Sequence, residues 1–178
     1  MQALETEDYP TAVAQFEKAA RQGNLESAYQ LGLMYLEGRG VPQDPGKAID
    51  YFEEAAEPWL VRDQHKLGFA EAQYQLGLIY GDGSGIAPDG EAAERWFRRA
   101  AEQGHSQAQF ALGELLLGDP DAGVDPAQAF FWLRVARESL SGEDAARADG
   151  HLDGLRKKLN AEEVTRLERQ VSVWSPTN

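Results

Sequence analysis

Apolar residues fall three and four positions apart in three stretches of this chain: LESAYQLGLMYLEG (25–38), AEAQYQLGLIYGDG (70–83) and SQAQFALGELLLGD (106–119). That spacing gathers one buried stripe on an α-helix. A second set, DYPTAVAQFEKAARQG (8–23), DPGKAIDYFEEAAE (44–57), DGEAAERWFRRAAEQG (89–104) and DPAQAFFWLRVARES (125–139), carries the same period. The two sets alternate, and the register G-x-x-x-A-x-x-x-L-G ties the copies together. It reads Gly68, Ala72, Leu76, Gly77 and, 36 residues later, Gly104, Ala108, Leu112, Gly113. An earlier copy, Gly23, Ser27, Leu31, Gly32, precedes the middle one by 45 residues. One helical pair of this length cannot bury its apolar face alone, so the pattern predicts stacked copies, a solenoid.

The ends of the predicted helices carry their own signals. Asp8, Asp44, Asp89 and Asp125 fall at one repeat position and read as N-caps. Pro45 and Pro126 follow at the first helical position, and Gln128 is placed for a capping-box contact. Gly38, Gly40, Gly83 and Gly85 suit the turn inside each pair, and Gly23, Gly68 and Gly104 the turn after it. Gly32, Gly77 and Gly113 lie inside helical patterns, where glycine costs about 1 kcal/mol against alanine. They point to a close approach of the two helices, opposite the equivalent positions Phe16, Phe52, Phe97 and Leu133.

Two departures interrupt the pattern. Nine extra residues, Pro58–Lys66, separate the first two copies, and the third turn becomes LGDPDAGVDP. Beyond Arg137, which stands where earlier copies have alanine, the repeat fades. Leu152, Leu155 and Leu159, then Val164, Leu167, Val171 and Trp174 behind an Asn160/Glu163 cap, predict two helices covering the last open face. The implied layout is one solenoid domain, 1–178. It comprises a half-repeat at 8–23, repeats at 24–68 (with the insertion 58–66), 69–104 and 105–140, and capping helices at 141–178. The helix near Asp8 has almost no partner ahead of it. A missing N-terminal segment, or homodimerisation through that face, would explain this.

Composition narrows the function classes. A formal charge of −13 repels nucleic acid unless a basic stripe overrides it, and Arg95, Arg98 and Arg99 are surrounded by Glu91, Glu94 and Glu102. No apolar run reaches the roughly 18 residues of a membrane span, so no membrane insertion is expected. Without cysteine there is no disulfide framework and no thiolate metal site. The opening MQALETEDYP has neither a basic start nor an apolar core, so no signal peptide is read.

With A-x-x-x-L-G-x-x-Y, then G-x-G-V/I, D-x-x-x-A and W/Y-F-x-x-A-A-x-x-G, the chain resembles the Sel-one-like repeat family, a relative of the tetratricopeptide repeat, over residues 8 to 137. Tetratricopeptide repeats run at 34 residues, and the longer G-x-G turn here favours the Sel-one-like form. The resemblance implies an all-α, right-handed α/α superhelix with a C-terminal helical cap. It implies a non-enzymatic adaptor, with no catalytic residues and no cofactor, that binds a partner protein or peptide in its concave groove. Such proteins are often bacterial and frequently sit in the cell envelope. The compartment implied is thus periplasm or envelope if a leader was removed, cytoplasm otherwise.

In that geometry the first helix of each pair lines the groove. Residues on it that face away from Leu31 and Tyr35 are Glu26, Tyr29, Leu33 and Glu37, then Glu71, Tyr74, Leu78 and Asp82, then Gln107, Phe110, Glu114 and Gly118. Tyr29, Tyr74 and Phe110 read as a ladder flanked by carboxylates, suited to a peptide with apolar and basic side chains. They read equally as packing between repeats. Trp59 in the insertion is either a protruding contact or a side chain tucked against the solenoid. The same aromatics could stack on sugar rings, which makes a glycan or peptidoglycan fragment the alternative ligand. Metal sites are not expected: Asp119, Asp121 and Asp125 imitate part of a calcium loop, but Phe130 stands where the bidentate Glu would be. His65, His105 and His151 have no ligand spacing.

Overall fold

The computed structural model describes residues 8–57, 68–118 and 125–177. Among these residues there are nine α-helices and no strand: α1 (Tyr9–Ala20), α2 (Leu25–Glu37), α3 (Pro45–Ala56), α4 (Ala70–Asp82), α5 (Gly90–Glu102), α6 (Ser106–Leu115), α7 (Pro126–Arg137), α8 (Gly142–Lys158) and α9 (Ala161–Val173). The chain divides into two compact units, Met1–Trp96 and Phe97–Asn178, with the boundary inside α5. The insertion 58–66, with Trp59 and His65, lies outside the described residues, as do Asp119 and Asp121.

The caps explain why the helices begin where they do. Backbone N–H groups of Thr11, Lys47 and Ala92 donate to the carboxylates of Asp8, Asp44 and Asp89 at 3.3, 3.1 and 2.9 Å. Asp125 accepts from both Ala127 and Gln128, at 2.9 and 3.3 Å. Each replaces the partner that a first-turn amide lacks within its own helix. The capping box expected at Gln128 does not form. Its carboxamide oxygen accepts from Arg98 at 3.1 Å, and its nitrogen donates to Asp125 at 3.2 Å, so no acceptor is left for the Asp125 backbone. The box at α9 does form, with Asn160 and Glu163 exchanging bonds of 2.9 and 3.0 Å.

The core of the first unit is built where α2 meets α3. A Cβ added to Gly32 would stand 2.5 Å from two ring carbons of Phe52, so the missing side chain is the space the ring occupies. Phe52 is fully buried, among Ala48, Ala55 and Ala56. The second unit repeats the device between α6 and α7: a Cβ on Gly113 would meet Leu133 Cγ at 2.6 Å. The helical cost of glycine is thus exchanged for the close approach of two helices.

A buried polar position accompanies it. Gln73 and Gln109, 1% and 3% exposed, donate from Nε2 to the carbonyls of Ala56 and Ala101, both at 3.1 Å. Those carbonyls belong to the last turn of the preceding helix, where intrahelical donors run out. Gln73→Leu keeps the size and removes the donor. It is expected to cost about 1–2 kcal/mol in urea unfolding, the penalty of a buried acceptor left unmade. A loss near zero would show that water or a backbone shift satisfies Ala56.

In the second unit, α8 and α9 both pack on α7. Phe130, Leu133 and Ala136 meet Ala148, Leu152, Leu155 and Leu167 in one cluster. Arg137, which replaces the repeat alanine, reaches Asp149 on α8 at 2.7 Å. That hydrogen bond holds the exposed Asp149 carboxyl below its ordinary range. Arg134 pairs with Glu168 on α9 at 3.1 Å. The C-terminal tail returns to α5, where the Thr177 amide and hydroxyl both donate to the Glu102 carbonyl, at 2.9 and 3.0 Å.

Candidate functional site

In the first unit the predicted groove residues of α2 and α4 form a strip of apolar side chains edged by acids. Tyr29, Leu33, Tyr74 and Leu78 are half-buried, whereas Glu26, Glu37, Glu71 and Asp82 are exposed. Helical spacing puts each set on one face. The Tyr29 ring lies 5.8 Å from that of Phe52 and 5.2 Å, edge-on, from that of Phe69 just before α4. Its hydroxyl shares a hydrogen bond with Gln75 of α4. Burial raises the Tyr29 phenol above its ordinary pKa; the Gln75 bond opposes the rise, and Glu71 and Glu37 add to it. The phenol therefore stays protonated within a negative field. Asp82 is turned into its own loop, accepting from the Ser84 amide and hydroxyl at 2.8 and 2.6 Å.

The corresponding residues of the second unit are arranged differently. Gln107 and Gly118 are exposed, but Phe110 is only 6% exposed and belongs to the core cluster. The Arg147 guanidinium of α8 covers its ring at 5.1 Å. Glu114 is held by Arg147 at 2.6 Å, with His151 Nε2 at 3.0 Å. The ladder of contact aromatics expected at Tyr29, Tyr74 and Phe110 therefore does not extend to Phe110, because the capping helix α8 has buried it. Likewise, the Glu114 carboxylate is committed to α8. The signal was Arg147 and His151, four apart on one helical face but outside the repeat.

No group of three or more His, Cys, Asp or Glu side chains that could hold a metal ion occurs among the described residues. Nor, among them, is any helix long and apolar enough to cross a membrane. What the α2–α4 face can offer is surface: aromatic and aliphatic area for an apolar side chain, and carboxylates for cations around it.

Comparison with known proteins gives a consistent picture. A family model described as Sel1 repeat matches residues 5–24, 25–57, 70–105 and 106–139. The break between the second and third matches spans the nine-residue insertion. An exopolysaccharide production negative regulator of Rhizobium leguminosarum bv. viciae is 31% identical over 133 residues, covering 72% of this chain and 50% of that protein. The chain therefore spans half the length of that relative. A Sel1 repeat protein from Oxalobacter formigenes superimposes with a TM-score of 0.65 at 23% identity, over 92% of this chain and 62% of its own. A protective antigen of uropathogenic Escherichia coli displaying an SLR fold gives 0.51 at 27% identity, over 90% and 39%.

Proposed function

The chain belongs to the Sel1 repeat family, and on that premise we propose that it is a non-enzymatic scaffold whose α2–α4 face holds a protein or peptide segment with basic and apolar side chains. The observation that carries this reading is the half-buried strip Tyr29, Leu33, Tyr74 and Leu78 bordered by exposed Glu26, Glu37 and Glu71. A partner's aliphatic or aromatic side chain would desolvate the strip, and its lysines or arginines would meet the carboxylates. A glycan is the poorer fit. Stacking on sugar requires an open ring face, whereas Tyr29 is packed against Phe52 and Phe69 and Phe110 is buried.

The test uses exposed residues, so that the fold is not at stake. The full chain and its Glu26→Lys/Glu71→Lys variant would be immobilised and compared in affinity capture from the source organism. A partner retained by the wild type should bind the variant at least about tenfold more weakly, since like charges then face each other. Its retention should fall as salt rises from about 0.1 M, where the Debye length is about 10 Å, to 1 M, where it is about 3 Å. Recovery of the same partners by both proteins, unaffected by salt, would remove the α2–α4 face from consideration.

A further inference from the structure

The second unit contains a concavity that the repeat pattern does not specify. It is a cleft of about 580 Å3 between α7 and α9, walled by Phe131, Trp132, Leu167, Val173 and Trp174. Arg98, Gln128, Arg166 and Gln170 add polar groups to it, and the last three are exposed. Its volume is within the roughly 300–1,000 Å3 of ligand-sized sites.

Charge sets this cleft apart. The chain as a whole carries −13, yet the one lining carboxylate among the described residues, Asp125, is occupied. Its oxygens accept from the amides of Ala127 and Gln128 and from the Gln128 side chain. Around the same helices Arg134, Arg137 and Arg156 are paired with Glu168 or Asp149. Arg166 has no ion pair among the described residues, and Arg98 is oriented by its bond to Gln128. The cleft is thus a basic spot on an acidic protein, and an anion is its electrostatic complement.

The aromatic geometry selects among anions. Trp132 is 5% exposed and meets Phe131 at 5.1 Å and Trp174 at 5.9 Å, both nearly perpendicular. The rings are engaged with each other, so they do not form the open platform on which a sugar would lie. Val173, 81% exposed, forms an apolar lip beside them. An aliphatic side chain fits between the lip and the rings, and the carboxamides of Gln128 and Gln170 can serve a peptide backbone as donor or acceptor.

We propose that this cleft docks an acidic peptide segment of a partner protein, with an apolar side chain against Val173, Trp174 and Phe131 and flanking carboxylates on Arg166 and Arg98. Guanidinium groups suit carboxylates because two parallel N–H donors match two oxygens. The site carries the opposite charge to the α2–α4 face and accepts a different ligand.

The test is fluorescence anisotropy of a short labelled peptide in which two leucines are flanked by glutamates, titrated with the full-length chain. Arg166→Glu should weaken binding about tenfold or more, and should favour the same peptide with lysines in place of glutamates. Circular dichroism should be unchanged, because Arg166 is exposed. Trp174→Ala should weaken both peptides alike, and Glu26→Lys/Glu71→Lys should leave binding of the acidic peptide intact. The proposal is overturned if the lysine peptide binds the wild type as well as the glutamate one, or if Arg166→Glu changes nothing. It is equally overturned if an oligoglucuronate binds where the acidic peptide does not.

Discussion

Phe52→Ala should destabilise the chain by about 3–5 kcal/mol, the largest effect expected of any single substitution considered for the first unit. Phe52 is fully buried, and its ring fills the space that Gly32 leaves empty. Truncation removes transfer free energy and leaves a cavity, and the surroundings are poorly placed to fill it. Gly32 has no side chain to contribute, and the neighbours on α3 are Ala48, Ala55 and Ala56. The second unit suggests the rescue, since there the glycine faces Leu133. Phe52→Leu reproduces that pair and should cost less than half as much as the alanine. Urea unfolding followed by circular dichroism measures the difference, and hydrogen exchange in α2 and α3 should locate it. An alanine variant losing less than about 1 kcal/mol would mean that α2 and α3 close over the gap, contrary to the tight contact seen here.

Gly68→Ala should cost about 2–4 kcal/mol, while Gly23→Ala, at the equivalent repeat position, should cost only about 1. Both glycines have left-handed backbones, with φ of +80° and +83°, so alanine bears a similar conformational cost at each. Their surroundings differ. A Cβ at Gly23 meets nothing within 4 Å, whereas at Gly68 it would overlap the Ala56 carbonyl oxygen at the end of α3 and crowd Gln73 Nε2 at 3.0 Å. That carbonyl is the one Gln73 already serves, so the substitution would disturb the buried hydrogen bond as well. Equal losses in parallel unfolding experiments would show that the overlap relaxes freely and that only φ matters.

The pair Gly23 and Gly68 illustrates what was legible in the chain. The repeat register identifies both as turn residues because sequence periodicity reports local backbone geometry, which each copy must reproduce. Periodicity is silent on what a neighbouring helix brings within reach. The same distinction runs through the candidate site. Glu26, Tyr29, Leu33, Glu71, Tyr74 and Leu78 could be assigned to one kind of face from helical spacing. That Tyr29 leans on Phe52 and Phe69 required the packed structure. Phe110 and Glu114 occupy the same register positions as Tyr74 and Leu78, yet α8 covers them through Arg147 and His151. Gln73 and Gln109 look like solvent-facing glutamines in the sequence, and burial against a helix terminus gives them their role. The α7–α9 cleft could not be read at all, because Arg98, Trp132 and Arg166 belong to different elements with no shared period.

Taken alone, the order of residues determined the helices, their caps, the turns between them and the glycine–aromatic contact that recurs from copy to copy. All of these arise from interactions within a few residues or from a motif repeated often enough to expose its partner. Tertiary structure decided which members of a repeated face remain open to a partner and where a basic cleft arises in an acidic chain. Exposure and local charge are set by whatever packs from elsewhere in the chain, and the capping helices α8 and α9, lying outside the repeat, supply that packing in the second unit.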